Sequence, residues 1–205
     1  MAFTSFKNIT EVLSKYKVYY GIDNFILENF ENARKPSQNL TDTLDFNLRE
    51  AVYDISEAAL CETIIYPILN DVWRNYTKEL ALWSHTAIEV DEELNGTPDY
   101  LLAKKSELGR ILGLPLLTAV EAKKDNFTEG WTQCVAQLIA IEKINTVEKK
   151  YMLFGIVTNG EQWEFAQFDG KNLIWNTVAF SVFDLNRLYA ALDFIFQQCQ
   201  QQVVN

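Results

Sequence analysis

The 205-residue sequence predicts an α/β domain, a mixed central β-sheet flanked by helices, with a helical N-terminal portion. Three observations predict it. Residues 151–158 form a continuous apolar run, as expected of an interior strand covered on both faces. Asn159-Gly160 and Asp169-Gly170 are two-residue hairpin signals joining that run to two further strand-like segments. Residues 128–145 have a helical pattern that is apolar nearly all round, so a buried helix lies between strands.

The elements follow in order. Residues 6–16 and 23–33 read as two short amphipathic helices separated near Gly21, with Asp23 able to cap the second. Residues 36–44 are polar and read as a linker, so the chain divides into a helical N-terminal segment, 1–44, and an α/β domain, 45–205. Residues 45–76 carry the longest helical pattern. Val52, Ile55, Ala59, Leu60, Ile64 and Ile65 recur at helical spacing and predict one buried face, with Pro67 expected to kink or divide the helix. From residue 80 the period changes to two. Residues 82–90, 99–103 and 115–122 are expected strands, the first two joined through the turn signal Asn95-Gly96. Strands at 162–168 and 172–175 follow the hairpin turns. Ser181 or Asp184 then caps a closing helix that runs to about residue 200.

Composition excludes several classes. Hydrophobic residues make up 48% and charged residues 22%, which is ordinary for a globular chain and not for a disordered one. No apolar run is long enough to span a membrane, and no secretory leader pattern opens the sequence. Cys61, Cys134 and Cys199 are dispersed and odd in number, which predicts a reducing, cytoplasmic setting. The single histidine, His85, lacks the nucleophile-elbow glycines that a Ser-His mechanism uses, and a structural role is expected for it. The cysteines and His85 also lack the paired spacing of a usual zinc site. No glycine-rich phosphate loop occurs. The net charge of −10 opposes nucleic-acid binding, yet it is unevenly spread: residues 1–98 carry −8, residues 151–205 carry −3, and residues 99–150 carry +1. The one section that is not acidic therefore leaves room for a DNA-facing patch.

That section also holds the chemistry. Glu121 and Lys123 close an apolar strand and fall on one face of it, because strand side chains alternate. Asp99 begins the preceding strand and is expected beside Glu121. Two carboxylates, the backbone carbonyl of Ala122 and water make an all-oxygen set suited to Mg²⁺ or Mn²⁺. Such an ion activates water, and Lys123 beside it would orient that water and stabilise an anionic transition state.

Pro98-Asp99 followed by Glu121-Ala122-Lys123 resembles the PD-(D/E)xK nuclease superfamily. Within it, the chain is most similar to the nuclease domain of type I restriction endonuclease motor subunits and their small stand-alone relatives. The likeness runs over roughly residues 50–170. It includes Ser56-Glu57 with Pro67-Ile68-Leu69, the segment from Gly96 to Tyr100, Gln133, and the hairpin from Phe154 to Trp163 with Thr158-Asn159-Gly160 at its turn. The resemblance implies a restriction-endonuclease-like fold and a metal-dependent nuclease that hydrolyses DNA phosphodiester bonds. It implies catalytic roles for Asp99, Glu121, Lys123, Glu57 and Gln133, with Mg²⁺ or Mn²⁺ held by Asp99, Glu121, Ala122 and Glu57. Glu62 competes with Glu57 in this assignment, and Gln137 with Gln133. No motor sequence is present, so ATP-driven restriction is excluded for this chain. DNA is the expected partner, with a homodimer or a partner subunit admitted. The alternative is a non-catalytic nucleic-acid- or protein-binding module, or an accessory subunit, on the same fold.

Overall fold

The computed structural model describes residues 3, 5–26, 33–145 and 149–204. Its elements are α1 (Ile9–Tyr16), β1 (Tyr19–Asp23), α2 (Gln38–Glu50), α3 (Glu57–Leu60), a π-helical turn (Cys61–Ile65), α4 (Tyr66–Trp73), β2 (Leu80–Ser84), β3 (Ile88–Glu89), β4 (Asn95–Gly96), β5 (Tyr100–Lys104), β6 (Leu116–Ala122), α5 (Phe127–Ile144), β7 (Leu153–Thr158), β8 (Gln162–Phe168), β9 (Asn172–Asn176), β10 (Phe180–Ser181), a 3₁₀ turn (Val182–Asp184) and α6 (Leu185–Val204). The chain is α/β around a mixed eight-stranded sheet.

The sheet runs β1-β9-β8-β7-β6-β5-β2, with β10 added along β8. Strands β2 and β6 flank β5 and each pairs with it antiparallel, whereas β6 and β7 are parallel and connected through α5. Every residue of β6 and β7 is buried, as two-sided coverage requires. One face packs against α2, the α3–α4 run and α6, through Leu40, Leu44, Ile64, Ile68, Leu192 and Phe196. The other packs against α5 and α1, through Val12, Leu101, Ala119, Val135 and Leu138. The hairpin turns form where the Asn-Gly and Asp-Gly pairs stand, and Gly160 and Gly170 both take positive φ.

Three expectations about the N-terminal half are corrected. Tyr19–Asp23 is a strand, not the lead-in to a helix. It pairs in parallel with β9, and a Cβ at Gly21 would stand 2.8 Å from Ile174 Cδ1, so this glycine permits close strand approach rather than breaking a helix. Positions 27–32 of the expected second helix lie outside the described residues. The supposed linker at 36–44 is largely helix, because Ser37 Oγ accepts from the Leu40 N–H and Leu40 and Leu44 bury one face of α2. The long helix expected over 45–76 is two helical runs. Ser56 caps α3 after an irregular stretch, which leaves Val52 and Ile55 exposed while Leu60, Ile64 and Ile65 are buried.

Pro67 acts differently from a simple kink. It cannot donate to the preceding turn, and that turn is widened to π spacing, with the Tyr66 N–H donating to Cys61 O. The expected strand over 82–90 ends at Ser84, because His85 takes φ 49 and its N–H donates to Asp99 O. Ile88–Glu89 and Asn95–Gly96 then pair as a separate small ribbon. At the C-terminus, Ser181 Oγ accepts from the Phe183 N–H and starts the turn that leads into α6.

Candidate active site

The parallel strands β6 and β7 end together, Ala122 opposite Thr158, and the Lys123 N–H donates to Thr158 O just beyond them. Chemistry-bearing side chains meet at this carboxyl end, the usual place for a site in a sheet with parallel strands. Alternation along β6 turns Glu121 toward α5, and Lys123 beyond the strand end also packs against that helix. Asp99, immediately before β5, comes alongside, because Tyr100 pairs with Val120. Glu57, in the first turn of α3, arrives from the opposite layer.

The four groups are linked. Lys123 Nζ lies 3.2 Å from Glu121 Oε1 and 3.4 Å from Glu57 Oε1. Asp99 Oδ2 accepts the Ala122 N–H at 2.7 Å, so Asp99 is tied to the backbone of the E-x-K segment itself. Glu121 is 5% exposed, and its Oε2 accepts from Gln137 Nε2 at 2.7 Å. Burial, reinforced by the charge of Asp99, pushes the Glu121 carboxyl up to about 7 against the pull of Gln137 and Lys123. Burial likewise raises Asp99, although the Ala122 N–H, His85 and Lys123 oppose it. For Lys123, burial alone would lower the ammonium, but Glu121 and Glu57 outweigh it and hold it above the usual lysine range. The result is a protonated lysine among three carboxylates, two of them held in a poorly solvated place.

Each residue expected from the sequence can now be located. Glu121 and Glu57 meet at Lys123, and Asp99 takes the Ala122 N–H beside them, but the carboxylate oxygens of Glu57, Asp99 and Glu121 do not all fall within 4.8 Å of one another. Glu62 is exposed on the π turn, so Glu57 is the glutamate that reaches Lys123. Of the two glutamines, Gln137 reaches the site. Gln133, one turn earlier on α5, is buried but donates to Glu129 Oε1 at 3.2 Å. Gln137→Ala is therefore expected to reduce any activity of the site by about 10–100-fold, the usual effect of removing a group that orients a ligand. Gln133→Ala is expected to leave it within about threefold. Parallel assays of the two variants check this, and equal effects would contradict it.

Gly130 explains how α5 comes so close. A Cβ there would lie 2.7 Å from Val157 Cγ1 and 2.9 Å from Lys123 Cγ. Alanine normally favours a helix over glycine by about 1 kcal/mol. Here overpacking opposes that gain, and Gly130→Ala is expected to destabilise the fold by about 1–2 kcal/mol and to displace Lys123. Urea denaturation measures the effect, and a stabilised variant would refute it.

Sequence reading missed two neighbours of Asp99. His85 Nε2 lies 3.5 Å from Asp99 Oδ1, and Cys61 completes a group whose ligand atoms all lie within 4.8 Å of one another. The missing signal is strand pairing. Ser84 stands opposite Tyr100, so the next residue, His85, falls beside Asp99. Compared with known proteins, the chain matches no family model and no curated sequence.

Proposed function

We propose that the chain is a metal-dependent nuclease with a restriction-endonuclease-like fold, hydrolysing DNA phosphodiester bonds at Asp99, Glu121 and Lys123. The observation that carries this reading is Lys123 held between Glu121 and Glu57 at the carboxyl end of β6, with Asp99 tied to the Ala122 N–H of the same segment. The order of elements supports it too: a helix bearing Glu57, three antiparallel strands, α5, and a strand parallel to the third. The buried, unpaired state of Cys61, Cys134 and Cys199 supports a reducing compartment such as the cytoplasm. Among the described residues, no helix is long and apolar enough to cross a membrane.

The donor set fits a hard divalent cation. Burial raises both Asp99 and Glu121, the charge of Asp99 raises Glu121 further and that of Glu57 raises Asp99, and Lys123 is shared with Glu57, so added positive charge would relieve the site. Asp99 and Glu121, with the Ala122 carbonyl, would hold Mg²⁺ or Mn²⁺. When bound, such an ion supplies Lewis acidity and a water of lowered pKa. The chain's own residues do the rest. Gln137 fixes Glu121, and the Ala122 N–H fixes Asp99. Lys123, kept protonated by Glu57 and Glu121, donates to a phosphoryl oxygen and offsets the charge that develops there. Exposed Lys104, Arg110 and Lys124 offer contacts to DNA phosphates. One such site cuts one strand, so a double-strand break calls for a homodimer or a partner subunit.

Supercoiled plasmid is expected to be nicked in Mg²⁺ or Mn²⁺, protected by chelator, and left intact by Glu121→Ala. The net charge of −10 favours the other reading, a binding module on the same fold. Retention of DNA or protein partners with no cleavage of duplex DNA, single-stranded DNA or RNA in either metal would establish that reading instead.

A further inference from the structure

We propose that Cys61, His85 and Asp99 form a second metal site, selective for a borderline divalent ion of the Zn²⁺ class, adjoining the oxygen-donor site through Asp99. The trio is distinguished by convergence: among the described residues it is the group of three or more metal-ligating side chains whose ligand atoms all lie within 4.8 Å of one another. Its donors are one sulfur, one nitrogen and one oxygen. Thiolate and imidazole favour Zn²⁺ or Co²⁺, whereas Mg²⁺ prefers oxygen alone and near-octahedral surroundings.

The geometry is prepared rather than incidental. His85 occupies the left-handed region, φ 49, which histidine tolerates better than most residues, and its N–H is tied to Asp99 O at 2.9 Å. Its Nδ1 is 2.7 Å from Ser84 Oγ, which fixes the ring and directs Nε2 at Asp99 Oδ1, 3.5 Å away. A second partner on the far ring nitrogen is the standard support of a metal-bound histidine. The 3.5 Å separation is long for a hydrogen bond, but two donors on one tetrahedral zinc stand about 3.4 Å apart, given bonds of about 2.0–2.1 Å. Cys61 is held as firmly. It opens the π turn, and its carbonyl accepts both the Tyr66 N–H and the Tyr100 hydroxyl, the latter at 3.1 Å. On binding, the Cys61 thiol proton passes to solvent. Three protein ligands leave a fourth position for a water or phosphate oxygen.

The inference shares Asp99 with the proposed nuclease site, but metal capture is measurable without any cleavage. The metal-free full-length protein is titrated with Co²⁺ and followed by absorption. One equivalent is expected to produce thiolate-to-cobalt charge transfer and intense tetrahedral ligand-field bands, displaced by Zn²⁺ and not by Mg²⁺. Cys61→Ser is expected to abolish the charge transfer. His85→Gly, which suits the positive φ at an exposed position, is expected to weaken affinity by about 100-fold, and Ser84→Ala by about 10-fold. Cys199→Ser and Lys123→Ala are expected to keep the bands. Retained bands in Lys123→Ala together with lost plasmid cleavage would uphold both sites. Retained bands with no cleavage by wild type would uphold this one alone. Absence of thiolate bands in the wild type, or their persistence in folded Cys61→Ser, would overturn the proposal even if Mg²⁺-dependent cleavage is found.

Discussion

Lys123→Ala is expected to lower plasmid cleavage by about 10²–10³-fold, the usual effect of deleting a preorganised group that stabilises transition-state charge. Lys123 Nζ touches both Glu121 and Glu57, so its removal takes away their shared cation and leaves Glu121 more prone to protonation. Arginine would not restore the rate, because a planar fork cannot occupy the slot of a compact ammonium whose stem is pressed against Gly130. If the proposed function holds, DNA affinity should change little, since one phosphate contact among several would be lost. Single-turnover cleavage and gel-shift titration, run side by side on protein with an unchanged circular dichroism spectrum, measure the two effects. A variant that cuts at the wild-type rate would remove Lys123 from the chemistry.

Glu121→Gln is expected to end cleavage and, in metal-free buffer, to stabilise the protein. The Glu121 carboxyl, lifted mainly by burial to about 7 from its ordinary 4.5, keeps a proton in the folded chain across a pH window in which the unfolded chain has released it. The folded state binds more protons there, so stability falls as pH rises from about 4.5 to 7 and stays reduced above. The cost at pH 8 is roughly 3 kcal/mol, already net of the attraction to Lys123, and part of the gain is offset because the variant's amide NH₂ must face one of two donors, Lys123 or Gln137. A net gain of about 1–2 kcal/mol, or about 3–6 °C in Tm, is the expected result. Thermal scans at pH 5 and pH 8 test it: wild type should lose stability between them and the variant should lose much less. A variant melting below wild type at pH 8 would show that the Lys123 attraction exceeds the desolvation cost.

The parts of the fold that were legible in sequence are those specified locally. The apolar run of β7, the Asn-Gly and Asp-Gly turns and the all-round apolar helix α5 each carry their instruction within a few residues. What sequence could not supply depends on distant partners. Tyr19–Asp23 becomes a strand because β9 offers a parallel edge, and its largely exposed side chains leave no alternation to read. Val52 and Ile55 imitate a helix face yet stand in solvent, since the Ser56 cap restarts the helix beyond them.

The site divides along the same line. Period-two alternation sufficed to put Glu121 and Lys123 together, and the strand order put Asp99 beside them. Gln133 and Gln137 share a helix face, and only the depth at which α5 crosses β6 selects the second. Cys61 opens the π turn and His85 follows β2, far along the chain from it, so spacing rules for metal ligands could not find them.

The edge strand β1 has a consequence for synthesis. Its partner strand begins at Asn172, so Tyr19 and Tyr20 leave the ribosome long before the residues they will pair with. At ordinary elongation rates that interval is roughly 10–30 s. Throughout it, an aromatic segment waits in water with no strand to pair with, its backbone groups open to pairing with another chain.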